Sequence, residues 1–134
     1  TIPMKNRWII TKHKSMDYYA DKYGLKTLSL LDYLGNSGSL RPQTLSSVLL
    51  KLKESDVAVL LPEQKPPSKL MKNISRNSLI PLSSEPIYVD GIMPGGNIVT
   101  TAIANTCTVV NSLSGSCNTH TGQLLKIKWE SLNR

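Results

Sequence analysis

Val57-Ala58-Val59-Leu60-Leu61 is a continuous apolar run with no polar face. A segment so short and so uniformly apolar reads as a strand buried on both sides, and such a strand belongs to a sheet with helices over both faces. The rest of the chain supplies the alternation this requires. Arg7-Trp8-Ile9-Ile10-Thr11 is short and β-branched, which predicts a first strand. Residues 15–24 predict a helix. Ser15 is placed to cap it, Asp17 lies in its first turn, and Met16, Tyr19, Ala20 and Tyr23 share one face. Gly24 is the stop.

Residues 25–30 predict a second strand, and the Gly, Asn and Ser of 35–41 a loop. Pro42 opens the next helix, whose apolar stripe is Leu45, Val48, Leu49 and Leu52. Residues 68–76 predict a short helix, 79–82 and 87–89 short strands, and 91–96 a loop. Val99, Ile103, Val110 and Leu113 repeat at helical spacing over a longer final helix. The expected fold is α/β, a mostly parallel four-stranded sheet with helices on both faces.

In such sheets, functional groups gather just beyond the C-terminal ends of the strands. His13 follows the first strand, Glu63 follows the apolar run, and Asp90 follows residues 87–89. A histidine and one or two carboxylates on one sheet edge suit zinc, manganese or iron, and equally suit acid–base chemistry. A purely structural explanation stands beside these: His13 as a polar helix flank, Glu63 paired with Lys65, and Asp90 turning the chain before Gly91.

Other function classes find little support. Lys and Arg exceed Asp and Glu by 16 to 9, for a net charge of +7. The cations are dispersed and Phe is absent, which favours a solvated positive surface over a nucleic-acid footprint. The chain has no Gly-x-Gly-x-x-Gly stretch, no phosphate loop and no Gly-x-Ser-x-Gly elbow. No nucleophile or oxyanion feature accompanies His13 and Glu63, so no enzyme is expected. The 134 residues suffice for one domain, and no apolar run approaches the ~18 residues of a membrane span.

The stretch from Arg7 through Thr11-Lys12-His13 to Tyr23-Gly24-Leu25 resembles the start of the C-terminal lobe in the metal-binding proteins of zinc and manganese ABC transporters. The family pattern there is Arg, an apolar strand, Thr, His, a short helix with aromatics, then Tyr-Gly-Leu. The resemblance continues through Val57-Ala58-Val59-Leu60-Leu61-Pro62-Glu63-Gln64 and Ile87-Tyr88-Val89-Asp90, and Asn105 falls where the family's last helix carries Asn. It covers roughly residues 2–113, leaving 114–134 as an unmatched tail.

The resemblance implies one lobe of a two-lobed periplasmic or extracellular binding component. Such a component captures a divalent ion, zinc before manganese or iron, and delivers it to a membrane permease. The N-terminal lobe, absent from this chain, would contribute two histidines. The resemblance marks His13 and Asp90 as metal ligands and Glu63 as an acid behind them that orients the ligands or holds the lobe interface. The alternative reading is a degenerate domain of the same fold that binds a protein and no metal. Lys12 and Lys14 flanking His13, and Asn97-Ile98-Val99-Thr100-Thr101 where the family has an acidic helix start, speak for it.

Cys107 and Cys117 would close a short loop as a disulfide in an exported protein, or stand as two thiols. A metal site from both cysteines and His120 is disfavoured by its loose spacing, and His120 reads as a solvated loop residue. Leu124-Leu125-Lys126-Ile127-Lys128-Trp129 alternates after Leu125, which suits either an added edge strand or a segment lying across the absent lobe's docking face.

Overall fold

A computed structural model of the chain describes residues 2–34 and 41–133. The loop predicted at 35–41 falls largely outside these residues. After a short 3-10 turn at Met4–Asn6 come β1 (Trp8–Thr11), α1 (Asp17–Tyr23), β2 (Lys26–Ser29), α2 (Leu30–Leu34), α3 (Pro42–Glu54), α4 (Lys69–Ser78), α5 (Ile98–Ser112) and α6 (Thr119–Leu132).

β1 and β2 pair in parallel, Ile9 opposite Thr27 and Ile10 opposite Leu28, with α1 as the crossover. Gly24 ends α1 in the left-handed region at φ 64°, where a side chain is disfavoured. Pro42 sits in the first turn of α3, and the Ser68 side chain accepts the Met71 N–H to start α4.

The α/β layering is as expected, but the four-stranded sheet is not. Among the described residues only β1 and β2 form a regular sheet. The apolar run is attached to β1 by the Leu61 N–H donating to the Ile10 carbonyl (2.9 Å). Leu60 makes one isolated parallel bridge to Leu82, and the Ile87 N–H donates to the Pro62 carbonyl (2.9 Å). Residues 57–61, 79–82 and 87–89 therefore lie side by side without becoming strands. For the Leu60–Leu82 bridge the reason is local: the next donors on either side would be Pro62 and Pro81, which have no N–H, so that ladder stops after two bonds.

Successive residues still point to opposite faces. Ile10 and Leu60 pack with Val48, Leu52, Met71 and Ile74 beneath α3 and α4. Ile9, Val59 and Leu61 pack with Ala20, Val109 and Leu113 beneath α1 and α5. The helices cover both faces, although the sheet between them is narrow.

The tail is a helix, which corrects the edge-strand alternative. Leu125, Trp129 and Leu132 follow Gly122 at helical spacing, and the Asn118 side chain accepts the Thr121 N–H (3.0 Å). Cys107 and Cys117 form a disulfide with Cα atoms 5.1 Å apart, which decides between the two cysteine readings and removes both as metal ligands. Beside it Gly122 presses on α5, where a Cβ would come within 2.9 Å of Ile103 Cγ2. Beyond that point α6 stands off, leaving an apolar cleft of about 1220 Å³ lined by Tyr19, Leu25, Ile103, Leu125 and Trp129. His120 is exposed in the first turn of α6 rather than in a loop.

Candidate metal centre

β1 ends at Thr11, and the chain turns sharply through 12–15. The His13 carbonyl organises the turn, accepting the Thr11 hydroxyl (2.6 Å) and the Ser15 N–H (2.9 Å). The Lys12 carbonyl accepts the Leu31 N–H and the Ser29 hydroxyl, both at 3.1 Å, which fastens the turn to the end of β2. His13 thus leaves the sheet edge on a constrained backbone.

Glu63 meets it there. Glu63 Oε2 accepts the His13 backbone N–H (3.1 Å) and lies 2.9 Å from His13 Nδ1. Its other oxygen, Oε1, accepts the Ser15 hydroxyl at 2.5 Å. The Glu63 side chain is only 7% exposed, whereas His13 is 51% exposed. A carboxylate only accepts hydrogen bonds, so Nδ1 must carry the proton in this contact. The neutral ring then keeps its lone pair on Nε2.

The structural alternative for Glu63 does not hold, because Lys65 pairs with Glu85 at 2.9 Å instead. Ser15 is also not the helix cap expected from sequence. Met16 occupies the N-cap position of α1 without a side-chain bond, and the Ser15 hydroxyl is turned to Glu63. Lys14, one of the two flanking cations, pairs with Asp17 (3.4 Å).

Asp90 lies on the neighbouring segment and is exposed. The bond from the Ile87 N–H to the Pro62 carbonyl sets that segment beside the one that ends in Glu63. α5 holds it on both sides. Asn105 clasps Tyr88 two ways, Oδ1 accepting its N–H (2.8 Å) and Nδ2 donating to its carbonyl (2.7 Å). After Asp90, the Met93 N–H donates to the Thr101 hydroxyl (3.0 Å). α5 begins in a reciprocal cap between Asn97 and Thr100, which does without the acidic start typical of the family resemblance.

The structure brings His13 and Glu63 into contact and adds Ser15, whose hydroxyl engages Glu63 instead of capping α1. No bond joins Asp90 to that pair, and among the described residues no three His, Cys, Asp or Glu side chains gather into a metal-binding group. The apolar cleft under α6 is elsewhere, since none of the three candidate residues lines it. It does hold Tyr19, whose hydroxyl ionises above the usual tyrosine range: burial raises it most, partly opposed by a hydrogen bond with Thr106, and Tyr23 raises it further.

Residues 1–112 match the family model for the periplasmic zinc-uptake complex component A. The chain belongs to this family. The family is one of transport binding components rather than enzymes. Solved structures share its fold. TroA superposes with a TM-score of 0.69 at 13% identity, over 84% of this chain and 45% of TroA. Fe(III)-bound YtgA from Chlamydia trachomatis gives 0.66 at 22%, over 88% and 45%. The laminin-binding protein of Streptococcus agalactiae, an adhesin with metal-transporting activity, gives 0.62 at 17%, over 85% and 42%. The chain therefore spans less than half the length of these structures and corresponds to one lobe of their fold. No protein of curated function matches it. Among the described residues no helix is long and apolar enough to cross a membrane.

Proposed function

We propose that this chain is the C-terminal lobe of a periplasmic solute-binding component that captures a divalent metal ion for an ABC importer. His13 supplies Nε2, Asp90 supplies a carboxylate, and Glu63 orients His13. An N-terminal lobe supplies the remaining ligands, and the loaded protein hands its cargo to a membrane permease. Residues 1–113 form the lobe, and 114–134 are an addition to it.

The observation that carries this reading is the contact between buried Glu63 and the Nδ1 side of half-exposed His13. Metal-binding histidines commonly donate their other ring N–H to a carboxylate, which fixes the tautomer and raises ligand basicity. A neutral imidazole with a carboxylate suits zinc best among the common ions, with manganese and iron behind it. The family description and the metal-bound relatives support the same cargo class.

Calorimetric titration of zinc into a two-lobed form tests the proposal. His13→Ala and Asp90→Ala should each weaken binding by more than about 100-fold, and Glu63→Gln by roughly 10–100-fold, as for a residue that orients a ligand. Unchanged zinc affinity in His13→Ala would overturn it.

A further inference from the structure

We propose that Ser15 is a positioning residue for His13, acting through Glu63. This rests on the reading of His13 as a ligand, and the tests below separate the two. Glu63 has two oxygens and three donors in reach, and the structure divides them without overlap. Ser15 Oγ takes Oε1 at 2.5 Å, while the His13 backbone N–H and Nδ1 share Oε2 at 3.1 and 2.9 Å.

That division fixes the carboxylate in two directions. A carboxylate bonded through one oxygen alone can swing about its terminal bond, whose torsion is broad. Swinging would trade the Nδ1–H contact for water at a ring that is 51% exposed. With Oε1 tied down, Oε2 remains dedicated to His13, and the outward nitrogen remains Nε2. The turn reinforces this, since Ser15 N–H donates to the His13 carbonyl (2.9 Å) and so holds the hydroxyl beside the carboxylate it engages. Ser15 is exposed and anchors no core, so its removal leaves packing untouched.

The test reads the His13 tautomer in the metal-free chain by nitrogen NMR, well above the pH at which imidazole protonates. The chain has only 2 histidines, so His120→Gln assigns the signals. Wild type should show the Nδ1–H tautomer. Ser15→Ala should shift the tautomer ratio towards Nε2–H by about threefold, the scale of one partly exposed hydrogen bond. Ser15→Thr keeps a hydroxyl and should restore the wild-type ratio. An unchanged ratio in Ser15→Ala, or equal shifts in Ala and Thr, would overturn the role of Ser15. If the ratios behave as expected but zinc added to a two-lobed form leaves the His13 signals unmoved, Ser15 keeps its role and the ligand reading of His13 fails.

Discussion

The body formed by the described residues of 2–112 and the helix that follows it are ordered by different forces. In the body, Ile9, Ile10, Leu60 and Leu61 are fully buried, and helices close over both faces of a narrow sheet. In α6, Leu125 is 51% exposed and Leu132 is 73% exposed, and the helix is held at its start by a disulfide and by Gly122 against Ile103. The body is stabilised by removing apolar surface from water, which acts everywhere at once. α6 is held chiefly by a covalent tether, which acts at one end. The candidate site belongs to the first regime: β1, the 57–62 segment and α5 each hold one of its residues in place.

The contrast can be broken by substitution. Leu60→Ala leaves a cavity in a closed core and should cost about 2–5 kcal/mol in urea unfolding. Removing the disulfide by Cys107→Ser with Cys117→Ser should cost about 3 kcal/mol, from the loop of separation 10 that it closes. Hydrogen exchange should then rise across α6 while β1 stays protected, and equal loss in both would contradict the contrast. Asn105→Ala leaves the Tyr88 backbone groups without their partner and should cost about 1–3 kcal/mol. Leu125→Ala should cost about 1 kcal/mol or less, since half of that side chain already lies in water. A Leu125 effect as large as that of Leu60 would show that α6 is packed like the body.

The smallest effect concerns pH. Folding raises the Tyr19 pKa, so between the unfolded and folded values the unfolded chain has lost a proton that the folded chain keeps. Stability is therefore full below the ordinary tyrosine value and declines as pH rises through the folded one. Tyr19→Phe should flatten that alkaline decline in a pH series of urea midpoints.

Much of the body was legible because its signals are local. Gly24, Pro42 and Ser68 each mark a helix boundary by a mechanism confined to one turn. The missing strands were not legible from apolar runs alone. Burial needs only that side chains alternate, whereas extending the Leu60–Leu82 bridge needs donors that Pro62 and Pro81 lack. α6 misled through a short alternation at 125–129, which a longer window overrides with the Gly122, Leu125, Trp129 and Leu132 repeat. Of the candidate site, His13 and Glu63 were legible as residues at the ends of apolar segments that the structure brings into contact, whereas Asp90, read the same way, makes no bond to them. The part played by Ser15 was not legible, because capping and a bond to Glu63, 48 positions away, draw on the same hydroxyl. Only the fold decides between them.

His13 is proposed to offer Nε2 to a metal while Glu63 holds Nδ1. Titrating zinc into a two-lobed form and following the His13 and His120 signals by nitrogen NMR tests it most directly. The His13 Nε2 signal should move with added zinc, Nδ1 should stay protonated, and His120 should be unaffected. Zinc that leaves His13 unmoved, or that shifts His120 equally, would contradict it.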